Sequence, residues 1–229
     1  MKKARTQQYH NNRIEIIQIS PSYILCHGEI GKSDFKPFLQ KIPTIDLVYA
    51  ALPKPENFPF WYKLAKRKKI AHSQFFFGLC EIWKEVNAPE YHIEVGPSNK
   101  QQVLDFFLKW KKFPYFYERE LYYSAPLNGK TLGMAKCRNP TQILVYSMHP
   151  VDVPYVKYSH EYVEFIMNRS ERMKVFDPVI GKGLLARFAL KNGHDCYGID
   201  MNKERLKCTY EYLCNNLEKT EITTEKENF

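Results

Sequence analysis

Two aspartates and two glycines in the last third of the chain have the spacing of a nucleotide-binding site. A short apolar run ends at Asp177, and Gly181 and Gly183 follow in the sequence DPVIGKG, at a turn where the missing Cβ lets the backbone approach a ligand closely. In βαβ nucleotide sites an acid about 20 residues beyond the glycine turn accepts hydrogen bonds from ribose hydroxyls, and Asp200 has this spacing. The pattern indicates a nucleotide-like ligand, although a βα turn that packs tightly for no ligand would show the same glycines.

The elements that position these residues are predicted to be a strand, a helix and a second strand. Val175 and Phe176 close the first strand. From Leu184 to Leu190 apolar residues recur at helical spacing, and Gly193 is a natural helix end. The second strand is predicted over residues 195–199. This order of strand, turn, helix and strand is the one that a nucleotide-binding βαβ unit requires.

The motif D-P-x-x-G-x-G, followed by G-I-D, resembles the S-adenosylmethionine site of DNA amino-methyltransferases, which act on adenine N6 or cytosine N4. By that resemblance Asp177 and Pro178 would lie near the methionine end of the cofactor, with Gly181 and Gly183 beneath it. Asp200 would lie on the ribose. The resemblance therefore implies S-adenosyl-L-methionine as the cofactor.

The order of the other motifs resembles the permuted (β-type) members of that family, in which the catalytic half precedes the cofactor half. Residues 44–55, TIDLVYAALPKP, resemble their x-D-L-I-x-x-D-P-P-[YWF] strand. The HGE sequence ending at Glu29 resembles the G-D that reaches the cofactor adenine, and residues 160–168 stand where their short cofactor-flanking helix lies. The resemblance covers roughly residues 20–215. It implies an α/β, Rossmann-like methyltransferase fold in circularly permuted order, with a mostly parallel sheet and helices on both faces.

The catalytic motif is degenerate. In the resembling proteins a carboxylate or amide oxygen and a proline carbonyl accept the hydrogens of the exocyclic amine, and an aromatic ring stacks on the flipped-out base. Aligning D-P-P-[YWF] with this chain gives Ala51, Leu52, Pro53 and Lys54. The acid, one proline and the aromatic ring are therefore missing.

Two explanations fit this departure. Either base methylation is lost or much reduced, which we favour because a missing hydrogen-bond partner at a reacting centre slows a reaction by orders of magnitude, or another group replaces the acid. Asp46, Glu56 and Asn57 are the nearby substitutes in sequence. The first explanation makes the chain a non-catalytic subunit that binds nucleic acid or an active methyltransferase.

The composition favours an intracellular protein that binds a polyanion. The 229 residues carry a formal net charge of +9, which favours nucleic acid, with DNA preferred over RNA by the resemblance. The six cysteines show no zinc spacing and the histidines no ligand pattern, so no metal site is predicted. No secretory signal or membrane span is recognised, so we expect a cytoplasmic protein, or a nuclear one in a eukaryote.

A basic cluster follows the degenerate motif and could contact nucleic acid. A solvated helix face is the plainer interpretation for any one of its members, which are Lys63, Lys66, Arg67, Lys68 and Lys69. No segment is long enough for the target-recognition insertion of sequence-specific permuted enzymes. Target selection is therefore relaxed or supplied by a protein partner, as in the paired adenine methyltransferases of eukaryotes.

The chain is predicted to form one methyltransferase-like domain over residues 14–217, with a catalytic half at 14–150 and a cofactor half at 158–217. Residues 1–13 are predicted to be a flexible basic segment and 218–229 a flexible tail. Strands alternate with helices, which indicates a central sheet of about seven strands. Besides the βαβ unit, strands are predicted at 14–19, 23–26, 44–51, 91–95, 115–123 and 142–147, and helices at 33–40, 58–69, 73–86, 100–111, 160–168 and 202–217.

Overall fold

The structure is a computed structural model. It describes the backbone of residues 5–9, 14–127 and 133–226, and the side chains of these residues except 5–9, 138–139 and 218–226. Nine strands are found in this part of the chain: β1 (Arg5–Tyr9), β2 (Ile14–Ser20), β3 (Tyr23–His27), β4 (Leu47–Ala51), β5 (Glu90–Val95), β6 (Tyr115–Pro126), β7 (Met134–Ser147), β8 (Lys174–Asp177) and β9 (Asp195–Asp200).

All nine strands belong to one sheet, in the order β1-β2-β3-β9-β8-β4-β5-β7-β6. The central five, β3, β9, β8, β4 and β5, are parallel to one another. Antiparallel strands extend the sheet at both edges. The central strands are almost wholly buried, as strands covered on both faces must be.

Helices cover both faces of this sheet, so the molecule has three layers. They are α1 (Lys36–Leu39), α2 (Phe58–Leu64), α3 (His72–Val86), α4 (Lys100–Trp110), α5 (Ser159–Met167), α6 (Leu184–Lys191) and α7 (Lys203–Lys226). One core packs α1 to α4 against the sheet, with Trp83 and Phe107 among its buried rings. The other packs α5 to α7, with Tyr162 and Phe188. The predicted α/β architecture is therefore confirmed.

Several element bounds differ from the sequence predictions. The sheet has nine strands rather than about seven, partly because residues 5–9 form a strand within the segment expected to be flexible. The helix expected at 33–40 shortens to α1, because the Ser33 hydroxyl accepts the Glu29 N–H (3.1 Å) instead of capping a helix. The last helix was expected to end at 217 and continues to Lys226.

The helix that carries the basic cluster is also shorter than predicted. It was expected to run to residue 69, but α2 ends at Leu64. Lys66 has a left-handed backbone with φ of 54°, which no α-helix accommodates. The basic residues after Leu64 therefore lie on a connecting loop. Of the predicted loop or hairpin at 124–140, residues 124–126 and 134–140 belong to the antiparallel strands β6 and β7, and residues 128–132 fall outside the described residues.

The connections between strands reverse direction at the centre of the sheet. From β8 the chain passes through α6 to β9, on the side of β3, whereas from β4 it passes through α2 and α3 to β5, on the opposite side. Because β8 and β4 are neighbours, their carboxyl ends flank a topological switch point. In open α/β sheets a crevice forms at this place and commonly binds the ligand.

A buried ionic network anchors the other end of β5. The carboxylate of Glu90 accepts hydrogen bonds from Arg169 Nη1 (3.0 Å) and Nη2 (2.6 Å), and it also contacts His92 Nε2. His92 Nδ1 in turn lies 2.6 Å from the Tyr162 hydroxyl on α5. Burial opposes ionisation of Glu90, but the hydrogen bonds and charges of His92 and Arg169 outweigh it and hold the pKa of Glu90 at about 2.

Replacing Glu90 with glutamine should remove an acid-sensitive part of the stability. The pKa of this carboxyl is lower in the folded chain than its ordinary value near 4.5, so its contribution is present above pH 4.5 and is lost as the pH falls towards 2. We expect Glu90→Gln to lower the free energy of unfolding by about 2–3 kcal/mol at pH 7, and by much less at pH 3. Urea unfolding at both pH values measures this.

Glu164→Gln is the matched control, because Glu164 forms an exposed ion pair with Lys191. This control should change stability by less than about 1 kcal/mol at either pH. An equal loss for Glu90→Gln at pH 3 and pH 7 would contradict the assignment.

Candidate functional site

A cleft of about 1000 Å³, open solvent at its mouth included, lies at the switch point. One wall comes from the turn after β8, the end of β9 and the start of α7. The other comes from the ends of β4 and β5, from α2, and from the arm that β6 and β7 form. The structure thus brings the two predicted halves together around one cavity.

Asp200 joins the glycine turn to the end of β9. Its Oδ2 accepts the Gly181 N–H (2.8 Å) and its Oδ1 accepts the Asn202 N–H (2.6 Å). The side chain is 7% exposed and lines the cleft. Each carboxylate oxygen can accept two hydrogen bonds, so both oxygens keep an acceptor position for a ligand hydroxyl.

The space beside the two glycines is taken by α7. Both have left-handed backbones, with φ of 56° at Gly181 and 78° at Gly183. A Cβ on Gly181 would lie 2.3 Å from Arg205 Nη2, and one on Gly183 would lie 2.7 Å from the Thr209 side chain. Neither glycine lines the cleft, whereas Pro178 does. The sequence pattern predicted that a ligand would occupy the space beside the two glycines. In the structure the side chains of Arg205 and Thr209 occupy it.

Asp177 is buried behind this turn rather than on the surface of the cleft. It is 3% exposed, and its Oδ1 accepts the Val179 N–H (2.9 Å). Burial raises the pKa of Asp177 to about 8, and the negative charge of Asp200 adds to the rise, while the Val179 N–H and the Arg205 charge oppose it. Burial therefore favours the uncharged form of Asp177.

Glu29 is engaged by two cations. It is 4% exposed, with Lys32 Nζ at 2.8 Å and Arg67 Nη1 at 3.6 Å from its carboxylate. Arg67 thus pairs within the protein, and its Nη2 also lies 3.2 Å from His27 Nε2. Gly28, the neighbour of Glu29, lines the cleft. The other members of the basic cluster are exposed: Lys63, Lys66, Lys68 and Lys69.

The degenerate motif lies where sequence reasoning expected it, at the carboxyl end of β4. Its residues Ala51, Leu52, Pro53 and Lys54 all line the cleft. The Pro53 carbonyl accepts a hydrogen bond from the Asn99 amide (3.3 Å). The aliphatic part of Lys54 packs over Gly96, where an added Cβ would lie 2.5 Å from Lys54 Cε.

Of the three substitutes for the missing acid, only Asn57 lines the cleft. Asp46 lies at the opposite end of β4, where its Oδ2 accepts the Lys174 N–H (2.8 Å). Glu56 is exposed and accepts the Ser98 hydroxyl (2.7 Å). Asp46 is therefore excluded as a group acting in this cleft.

Glu94 is a cleft carboxylate that sequence reasoning missed. It is the register partner of Ala51 on the neighbouring strand and is 2% exposed. Three hydroxyls donate to it: Thr141 (2.8 Å) and Ser159 (2.8 Å) to Oε1, and Tyr49 (2.9 Å) to Oε2. One acceptor position on Oε2 remains. Burial raises the pKa of Glu94, although the three hydroxyls and the charge of Lys54 oppose the rise.

Two further cleft residues, Trp61 and Arg205, also escaped sequence reasoning. The guanidinium of Arg205 lies 4.5 Å from the centroid of the Trp61 ring, which connects α7 to α2 across the cleft. A signal for Glu94 was present, namely a lone acid between apolar residues in a buried strand. No pattern in the sequence pairs Trp61 with Arg205, because they are far apart in the chain.

Neither a metal site nor a membrane span is found among the described residues. No group of three or more histidine, cysteine, aspartate or glutamate side chains there is arranged to hold a metal ion. None of the described helices is long and apolar enough to cross a membrane.

No protein-family model matches the sequence, and no curated protein matches it. Solved structures do match. The match to the crystal structure of the M1.HpyAVI–SAM complex spans 82% of this chain and 98% of the M1.HpyAVI chain, with 14% identity and a TM-score of 0.51. TTHA0409 of Thermus thermophilus, a candidate DNA modification methylase complexed with S-adenosyl-L-methionine, covers 82% and 93%, with 15% identity and a TM-score of 0.50. PvuII DNA methyltransferase, which is cytosine-N4-specific, covers 90% and 92%, with 13% identity and a TM-score of 0.49.

The chain has the Rossmann-like fold of DNA methyltransferases. At these identities the likeness concerns the fold alone. Strands β8 and β9 follow β4, which leads into the degenerate motif, along the chain.

Proposed function

We propose that the chain binds S-adenosyl-L-methionine in the cleft and acts on exocyclic amino groups of nucleic-acid bases, adenine N6 foremost, with reduced activity. One observation carries the proposal: a single cavity at the switch point is lined both by Asp200 and Pro178 and by the degenerate motif from Ala51 to Lys54. A cofactor and a base would have to meet in such a cavity.

The residues of the cleft suit this cofactor. Asp200 keeps acceptor positions for ribose hydroxyls, and the cleft that it lines opens to solvent. When bound, S-adenosyl-L-methionine supplies an electrophilic methyl group on its sulfonium sulfur. The chain's own residues must then position the amine and accept its hydrogens.

Glu94 is suited to replace the acid that the motif lacks. An exocyclic amine is a weak nucleophile because its lone pair is delocalised into the ring, and accepting one of its hydrogens localises that pair. Ala51 has no acceptor, but Glu94 lies beside it on the neighbouring strand and keeps one acceptor position on Oε2. Because burial raises its pKa, Glu94 can also take the proton that the nitrogen releases on methylation.

An aromatic surface is also available for a flipped base. Lys54 provides none, whereas Trp61 and Phe58 both line the cleft. Stacking between aromatic rings is the common way to hold an extruded base. Trp61 is partly exposed, so its ring is the more accessible of the two.

Nucleic acid is the proposed polyanionic partner, and DNA is preferred because TTHA0409 is a candidate DNA modification methylase. Exposed lysines follow Trp61, a residue of the cleft, along the chain and could contact phosphates. A nucleic-acid substrate would require an intracellular location, in the cytoplasm or the nucleus.

A second candidate function is a non-catalytic methyltransferase-fold subunit that binds nucleic acid or an active methyltransferase. Two observations favour it. Ala51 and Leu52 offer no side-chain acceptor, and the Pro53 carbonyl is already engaged by Asn99. In this case a protein partner would supply catalysis or target recognition.

Transfer of labelled methyl groups from S-adenosylmethionine to unmethylated DNA and RNA distinguishes the two functions. We expect slow incorporation at adenine N6 in DNA.

Glu94→Gln should reduce the rate of this transfer by about 10²–10³-fold, as removal of a hydrogen-bonding group at a reacting centre does. Adding Ala51→Asp should restore part of that rate, because it returns a carboxylate to the paired position. Glu164→Gln is the exposed control and should change nothing. Absence of transfer to any nucleic acid would instead favour the non-catalytic subunit.

Salt dependence tests the phosphate contacts. We expect Lys68→Ala combined with Lys69→Ala to reduce the slope of log K against log salt concentration by about 2, because each phosphate contact releases about one counterion. Fluorescence anisotropy with a labelled duplex measures this. Lys84 and Lys109 are exposed lysines on α3 and α4, and replacing both with alanine is the matched control. Equal slopes for the two double variants would remove the basic cluster from the interface.

A further inference from the structure

Arg205 carries a positive charge that no carboxylate among the described residues pairs with directly. Its guanidinium lines the cleft, and among the described residues it forms neither an ion pair nor a hydrogen bond through that group. Asp177 influences it only through its field, and the nearby carboxyl groups form other hydrogen bonds. Asp177 is buried and bonded to Val179, and both oxygens of Asp200 accept backbone N–H groups. The cation is therefore available to a ligand.

The guanidinium is also held in place. Gly181 lies against it, where even a Cβ would lie 2.3 Å from Nη2, and the centroid of the Trp61 ring lies 4.5 Å from Cζ. Its backbone is anchored by Asn202, whose Oδ1 accepts the N–H groups of Glu204 (3.0 Å) and Arg205 (3.1 Å). A planar guanidinium fixed in this way is prepared for two parallel hydrogen bonds to a planar anion.

Its position within the cleft selects the kind of anion. Arg205 lies over Gly181, and the N–H of Gly181 binds the Asp200 carboxylate that is suited to ribose hydroxyls. A nucleoside whose ribose is held at Asp200 would therefore lie within reach of the guanidinium. The phosphates of a nucleic-acid strand could bind the exposed lysines outside the cleft. Arg205, in contrast, is half-buried beneath the Trp61 ring.

We propose that Arg205 binds the α-carboxylate of the amino-acid end of S-adenosylmethionine. This inference rests on the proposed function, because it assumes that this cofactor occupies the cleft. The carboxylate is the only anionic group of that molecule, and its sulfonium and ammonium groups would be repelled by a guanidinium. Arg205 therefore orients the cofactor as well as binding it, with the carboxylate at α7 and the sulfonium farther away.

Isothermal titration with two ligands tests the assignment. S-adenosylhomocysteine has the amino-acid end, whereas 5′-methylthioadenosine shares the adenosine and the thioether but has no carboxylate. We expect Arg205→Met to weaken S-adenosylhomocysteine binding by about 10- to 100-fold and to change 5′-methylthioadenosine binding by less than about threefold. Arg205→Lys should lose less, because it keeps the charge and not the planar fork. Lys203→Met is the matched control, since Lys203 is exposed on the same helix and pairs with Glu15.

The outcomes separate the two proposals. If the unmodified chain binds neither ligand, the proposed function fails and the role of Arg205 fails with it. If the unmodified chain binds S-adenosylhomocysteine and Arg205→Met binds it equally well, the role of Arg205 is overturned while the proposed function stands. If Arg205→Met weakens both ligands equally, Arg205 shapes the cleft and does not recognise the carboxylate, which also overturns the inference. A loss confined to S-adenosylhomocysteine supports it.

Discussion

The carboxylate of Asp200 is the interaction on which the site depends. It binds the N–H of Gly181 on one side and the N–H of Asn202 on the other, so the glycine turn, the end of β9 and the start of α7 are tied into one unit. Asn202 then caps α7 through the Glu204 and Arg205 N–H groups. This chain of hydrogen bonds determines where the Arg205 guanidinium enters the cleft.

Strand β5 carries two glutamates whose surroundings shift their pKa values in opposite directions. Glu90, at its amino end, is surrounded by Arg169 and His92 and is held ionised, with a pKa of about 2. Glu94, near its carboxyl end, receives three hydroxyl hydrogen bonds in a buried position, and its pKa is raised. These partners therefore make the first group a structural anchor. Burial that outweighs the three hydroxyls and the Lys54 charge makes the second a candidate acid or base, and it is the one that faces the cleft.

Much of the fold was predictable because the central strands and the glycine turn have strong local patterns. The βαβ unit from β8 to β9 follows its predicted bounds closely, since apolar spacing and glycines determine it locally. The strand Arg5–Tyr9 was missed, because RTQQY has no apolar alternation and forms only by pairing with β2. The early end of α2 was missed too, because no sequence pattern predicts the left-handed backbone of Lys66.

The candidate site was predictable only in part, because its residues come from distant segments. Asp200 and the degenerate motif, which their sequence motifs singled out, both line the cleft. Glu94 depends on strand register, since only the pairing of β4 with β5 places it beside Ala51. The packing of α7 side chains against the glycine turn likewise depends on the tertiary structure. The sequence does not predict it, because the same glycines would also suit a ligand.

The central claim is that one cleft holds the cofactor at Asp200 and faces the degenerate motif from Ala51 to Lys54. A crystal structure of the chain grown with excess S-adenosylhomocysteine tests it most directly. The account predicts ligand density in this cleft, with the ribose hydroxyls within hydrogen-bonding distance of Asp200. An empty cleft in such crystals, or density bound at another surface, would contradict it.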